Sequence, residues 1–185
     1  MLKILRKEKM KKFTFLLATL LIIVFVFSGC AGNTTNSQNT QNQQSRTPAP
    51  DFSWSDGNGN TIHLTDLKGK VVLLDFWATW CGPCKMTIPH IEAIYEKYKD
   101  KNVVVLGVNL DTGDLEKVKS FIDQYGMKYL VITDPKSAVA GKYMVNSIPT
   151  FFIIDKEGNI AKTIIGYDPN IEDMISKEID TLLKE

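Results

Sequence analysis

The chain has 185 residues, 44% hydrophobic and 23% charged, with 22 basic against 21 acidic side chains and a formal net charge of +1. Past residue 29 the count is 16 basic against 20 acidic, so the positive sign belongs to the N-terminal segment alone. That balance excludes the basic footprint of a nucleic-acid binder or an anionic-surface binder, and the length beyond residue 49 suits one hydrophobic core.

Lys3, Arg6, Lys7, Lys9, Lys11 and Lys12 precede an apolar run over residues 13–27, followed by Ser28, Gly29 and Cys30. Basic residues held on the cytoplasmic side, a short apolar core and small residues before a cysteine read as a lipoprotein signal peptide over residues 1–29, with Cys30 as the lipidated residue. The other reading is an uncleaved signal anchor. It is the weaker one, because the run has about 15 residues against about 20 for a membrane span. Either reading puts the rest of the chain outside the cytoplasm. Residues 30–49 are rich in Asn, Gln, Ser and Thr and nearly free of apolar side chains, which predicts a disordered tether. At random-coil scaling some 20 residues reach roughly 25 Å.

The domain expected over residues 50–185 alternates strand and helix patterns. Residues 52–54 and 61–64 flank a turn rich in Gly and Asn and predict an N-terminal β-hairpin. A strand follows over 71–77, a helix over 82–98 and a strand over 103–109. Next come a helix over 115–125, a short strand over 130–133 and a helix over 136–144. Strands over 151–155 and 160–165 and a helix over 171–183 close the chain. The sum is an α/β sandwich with a mixed sheet. Pro89 falls inside the first long helix, where it removes a backbone hydrogen bond and predicts a kink.

The chemistry concentrates at Trp80-Cys81-Gly82-Pro83-Cys84-Lys85, where the first long strand gives way to that helix. Two cysteines at a helix N-terminus meet unpaired N–H groups and the positive end of the macrodipole, both of which favour a thiolate. Such a pair can cycle between dithiol and disulfide. Half of a zinc site or an inert disulfide are the other readings. Zinc is disfavoured, because it needs about four ligands and no second Cys-Cys or Cys-His pair accompanies His63 or His90. With Cys30 in the N-terminal segment, only Cys81 and Cys84 remain in the folded part. Asp75, six residues before Cys81 in an otherwise apolar strand, is costly there unless it is used.

The run VVLLDFWATWCGPCKM resembles the active-site segment of thioredoxins, and the longer stretch from Ala49 through Cys84 resembles the extracytoplasmic TlpA/ResA-like branch of that superfamily. The likeness spans residues 49–185. It is strongest over 67–89 and at Ser147-Ile148-Pro149-Thr150. It implies a three-layer thioredoxin-like sandwich. The 36 residues between Asp111 and Ile148 exceed the single helix of a minimal thioredoxin and fit one extra helix-strand insertion, as in TlpA/ResA-like proteins.

By resemblance, Cys81 is the exposed attacking sulfur and Cys84 the resolving one. Asp75 is the buried acid that takes the Cys84 proton, a task suited to a carboxyl whose pKa burial raises. Ile148 and Pro149 match the cis-proline loop, Trp77 and Trp80 the two family tryptophans, and Gly166 the glycine beside the substrate groove. Trp80, Gly82, Pro83, Ile148, Pro149 and Gly166 are thus the expected substrate-binding residues. Thioredoxins keep a lysine near the buried acid on the next strand, and Asn109, Leu110 and Asp111 offer none. Several haem-pathway relatives carry a glutamate three residues after the second cysteine and an asparagine on the strand, where this chain has Thr87 and Asp75.

The expected activity is a protein-disulfide reductase needing no cofactor beyond its own dithiol, monomeric and anchored by lipid on the extracytoplasmic side. A membrane electron carrier of the DsbD/CcdA type would recharge it, with cytochrome c maturation as one pathway. An oxidant or isomerase uses the same scaffold. A peroxiredoxin-like peroxidase fits less well, since Leu74 and Ala78 stand where those enzymes have proline and threonine. A copper carrier fits less well too, since the spacer is two residues and the proline loop has no histidine.

Overall fold

The computed structural model describes residues 46–185. The signal segment, Cys30 and most of the expected tether lie outside the described residues. The organising element is the strand Val71–Trp77, whose seven residues are all buried. A strand buried on both faces needs two neighbours and a layer on each side, and here it has both. It pairs in parallel with Val103–Asn109 and antiparallel with Thr150–Ile154.

In chain order the strands are β1 (Thr47–Pro48), β2 (Ser53–Ser55), β3 (Thr61–His63), β4 (Val71–Trp77), β5 (Val103–Asn109), β6 (Leu130–Thr133), β7 (Thr150–Ile154) and β8 (Asn159–Ile165). The helices are α1 (Gly82–Tyr98), α2 (Leu115–Tyr125), α3 (Ala138–Lys142) and α4 (Ile171–Leu182), with a short 3-10 turn at Leu64–Leu67. Six strands form one mixed sheet in the order β1-β8-β7-β4-β5-β6, and β2 and β3 form a separate hairpin.

Alternation along β4 sends Leu73 and Trp77 to one face and Val72, Leu74 and Phe76 to the other. Helices α1, α2 and α4 cover the first face, and the hairpin, the 3-10 turn and α3 cover the second. The result is the expected three-layer α/β sandwich, with the α2–β6 unit as the predicted insertion. Four apolar residues at helical spacing, Ile171, Ile175, Ile179 and Leu182, are the buried stripe that seats α4. Helix α1 runs through Pro89, which lies on its exposed side, and continues to Tyr98.

Two differences from the sequence expectation have physical causes. The sheet begins before residue 50, because Thr47 and Pro48 pair with Ile160 and Asn159 at its edge. Arg46 holds that edge by ion pairs to Asp155 (3.1 Å) and Glu185 (2.8 Å). Helix α3 is shorter than expected because Ser137 (φ 51°) and Met144 (φ 52°), both left-handed, bracket it.

The buried Asp134 carboxylate starts α3 by accepting the backbone N–H groups of Ala138, Val139 and Ala140 at 2.8 to 2.9 Å. Asp134→Ala strands those donors, and chemical denaturation should show a loss of about 2 kcal/mol, with Asp134→Asn retaining about half of it.

Candidate active site

Strand β4 ends at Trp77, and the chain turns through Ala78, Thr79 and Trp80 to reach Cys81 at the mouth of α1. A buried carboxylate fixes this turn. Asp111 accepts the Thr79 backbone N–H (2.8 Å) and the Thr79 hydroxyl (2.7 Å), and it accepts the Asn109 side-chain amide at 2.8 Å. Burial works to raise the Asp111 pKa, but the bonds from Thr79 and Asn109 outweigh it and hold the group below its ordinary value. The Leu110 N–H donates to the Trp77 carbonyl at 2.9 Å, which ties the same turn to the end of β5. This clamp between Thr79 and Asp111 was not anticipated from the sequence, where Asn109 and Asp111 stood out only as lacking a lysine.

Cys81 and Cys84 are joined in a disulfide. Cys81 is the N-cap of α1, and its sulfur accepts the Cys84 backbone N–H at 3.1 Å. Pro83 follows in the first turn, where its missing N–H has no intrahelical carbonyl to lose. The helix thus directs the Cys84 N–H and its own positive end at the Cys81 sulfur, an arrangement that favours a thiolate there once the disulfide is reduced. Cys81 is only 4% exposed, which corrects the expectation of an exposed sulfur. In the disulfide it folds back as the helix cap and lies 3.7 Å from the Ile148 carbonyl oxygen. Cys84 is deeper still. Behind it Thr87, fully buried, donates its hydroxyl to the Cys84 carbonyl (2.8 Å), so the position that holds glutamate in some haem-pathway relatives is a closed, neutral contact.

The Ile148–Pro149 bond is cis. Thr150 pins this loop by donating its hydroxyl to the Ser147 carbonyl at 2.7 Å. The Pro149 carbonyl accepts the N–H of Gly166 at 2.8 Å, and Gly166 has φ +86°, a conformation that favours glycine. A Cβ there would meet nothing within 4 Å, so the constraint is backbone conformation rather than space. The loop and Gly166 therefore form one rim beside the disulfide. Trp80 (66% exposed), Gly82 and Pro83 lie at the same end of the molecule, and Ile165, next to Gly166, is 68% exposed. Trp77 is buried and stacks on Phe121 with centroids 5.2 Å apart, so one tryptophan supports the site from below while the other faces solvent. His63 and His90 pair with Asp51 and Glu172, each at 3.1 Å.

Asp75 shares the α1 face of β4 with Leu73 and Trp77 and is 1% exposed. Burial pushes its carboxyl from 3.8 up to about 7, against the pull of a hydrogen bond from Tyr129. Oδ2 accepts that bond at 3.4 Å, and Oδ1 has no partner among the described residues. Tyr129 was not singled out from the sequence. A dithiol at a helix N-terminus, a buried acid on the adjoining strand and a rim of exposed apolar groups are the parts needed for thiol-disulfide exchange.

Residues 46–163 match the AhpC/TSA family. The thiol-disulfide oxidoreductase ResA of Bacillus thuringiensis is 39% identical over 148 residues, covering 78% of this chain and 85% of the relative. ResA of Bacillus subtilis is 39% identical over 118 residues, covering 64% of this chain and 65% of the relative. Among solved structures, a thioredoxin-family thiol:disulfide interchange protein from Chlorobium tepidum superposes with a TM-score of 0.63 at 27% identity, covering 75% of this chain and 97% of that one.

The raised Asp75 pKa has a consequence for stability. Between about pH 4 and pH 7 the folded chain keeps a proton on Asp75 that the unfolded chain has released, so this group's contribution to stability falls as pH rises through that window and is flat above it. Asp75→Asn should remove this slope and make the oxidised chain more stable at pH 8 by about 2 to 4 kcal/mol, read by urea denaturation at pH 5 and pH 8.

Proposed function

The chain belongs to the AhpC/TSA family and, within it, to the ResA-like thiol-disulfide oxidoreductases, and on that premise we propose that it reduces disulfides of extracytoplasmic proteins from a membrane anchor. The observation that carries this reading is the Cys81–Cys84 disulfide that caps α1 beside the Ile148 carbonyl of the cis-proline loop, with Asp75 buried on the strand that leads into it. In the reduced chain the Cys81 thiolate attacks a substrate disulfide, one substrate sulfur leaves as a thiolate, and a mixed disulfide forms. Asp75 takes the Cys84 proton, and the Cys84 thiolate attacks the Cys81 sulfur. The second substrate sulfur leaves, and the Cys81–Cys84 bond is restored. The rim near Ile148, Gly166, Trp80 and Ile165 offers apolar contact and backbone groups to an extended substrate segment.

The reductive direction is supported by the Gly82-Pro83 spacer, which matches that of reducing thioredoxins, and by an acid suited to accepting a proton near neutral pH. A net reductant must be recharged, and the partner assigned here is a membrane dithiol carrier of the DsbD/CcdA type. The basic and apolar pattern ahead of Cys30 supports an extracytoplasmic location with Cys30 lipidated. Thr87 and Asp75 make the site thioredoxin-like within its branch, so the substrate range extends beyond cytochrome c maturation to other disulfide proteins. Peroxide reduction is disfavoured, because Leu74 and Ala78 place no hydroxyl at the threonine position of peroxidases.

The reduction potential of the Cys81–Cys84 couple tests the direction. Equilibrated against dithiothreitol or glutathione buffers, the full chain in detergent should give a value near or below about −250 mV. A value of about −120 to −180 mV, typical of oxidants and isomerases, overturns the reductive reading. For the roles of the two sulfurs, Cys84→Ser should accumulate mixed disulfides with substrate on non-reducing gels while Cys81→Ser abolishes reduction. Equal trapping by both variants contradicts the assignment.

A further inference from the structure

Asp75 sits directly across from Gly107 in the β4–β5 register. A side chain at Gly107 has no room, since a Cβ would lie 2.9 Å from Trp77 Nε1, 3.1 Å from the Tyr129 ring and 3.3 Å from Val131. The absent side chain is what lets the Tyr129 ring lie over β5 and reach the acid on the neighbouring strand. Tyr129 is itself 3% exposed and held in place through its neighbour, because the Lys128 N–H donates to Glu92 on α1 at 3.0 Å. Its hydroxyl has Asp75 Oδ2 as its recorded partner, 54 positions away in the chain.

We propose that Tyr129 is the positioning residue of this site, its hydroxyl seated on Asp75 Oδ2 through the gap at Gly107 and setting the pH at which Asp75 Oδ1 takes the Cys84 proton. The proposal rests on the reading of Asp75 as proton acceptor given above. A phenol bonded to one carboxylate oxygen stabilises the charged form and leaves the other oxygen open. The groups facing the pair are few. Beyond Asp75 on β4 and Tyr129 just before β6, α1 brings Cys84 and, nearer the phenol, Glu92 and Tyr95, whose ring centroid is 6.4 Å from that of Tyr129, whereas β5 and β7 bring Gly107 and Phe151. Burial, then the negative charge of Asp75, keeps the Tyr129 hydroxyl protonated far above neutral pH, so it acts as a standing donor rather than as a second acid. No lysine stands at the positions that follow Gly107 and Val108 on β5, and the insertion supplies the partner instead.

The proton balance is simple. The Cys84 S–H loses its proton to Asp75 Oδ1, the Cys84 thiolate displaces the substrate sulfur from Cys81, and the departing thiolate carries the electron pair of the broken S–S bond. The test compares Tyr129→Phe and Asp75→Asn with the parent, using the full chain in detergent.

Carbon-13 NMR of aspartate-labelled oxidised chain reads the Asp75 midpoint, assigned by its loss in Asp75→Asn. Single-turnover reaction of the reduced chain with 5,5′-dithiobis(2-nitrobenzoate) reads resolution, because the second thionitrobenzoate leaves only when Cys84 attacks Cys81. Tyr129→Phe should move both midpoints up by about 0.5 pH or more, and Asp75→Asn should flatten the pH profile of the second release. A Tyr129→Phe midpoint unchanged in either readout, with Asp75→Asn still flattening the profile, overturns this inference alone. A profile unchanged in Asp75→Asn overturns the acceptor reading and this inference together.

Discussion

The structure depends on a carboxyl group placed inside a strand that is buried on both faces. Strand β4 has no solvent-facing side, so every residue on it must pack, and six of the seven do so as hydrocarbon or indole. Asp75 cannot. A charge there is opposed by desolvation, and the fold supplies one long hydrogen bond and no cation among the described residues. The carboxyl answers by holding its proton to about pH 7. In the mechanism proposed above, that liability for stability serves as the proton acceptor for the resolving thiol.

A second buried carboxylate shows that the environment, rather than burial as such, decides the outcome. Asp111 is also largely shielded, yet it accepts three hydrogen bonds from Thr79 and Asn109 and stays charged. The two acids divide the work of the site. The charged one fixes the turn that presents Cys81, and the poorly solvated one stands ready to change its state. Exchanging their surroundings would lose both functions, since a protonated clamp has fewer acceptors and a fully bonded acid has no oxygen free.

Most of this architecture is legible in the chain before it folds. The boundaries of β4, α1, β5, α2 and β6 follow from strong apolar periodicity and clear punctuation, such as the Gly126 cap of α2 at φ +64°. The pairing of Cys81 with Cys84 and the place of Pro149 follow from a compact motif. What is not legible is long-range. Tyr129 meets Asp75 across 54 positions and Thr79 meets Asp111 across 32, and no local pattern announces either contact. A signal existed for the first, because a lone glycine in the apolar strand β5 marks a close approach by something else. Thr47 and Pro48 were hidden for a different reason. A two-residue polar edge strand is defined by its partner, not by its own composition.

The edge formed by Thr47 and Pro48 also gives the domain a direction. These residues pair with the start of β8, whereas the disulfide rim lies past its other end, beyond Ile165. Seven strand residues at about 3.3 Å each separate the two poles by roughly 20 Å. With Arg46 bound to Asp155 and Glu185, any pull from residues ahead of it is delivered to the pole away from the sulfurs. The disulfide rim therefore stays clear of the end at which the chain enters the domain.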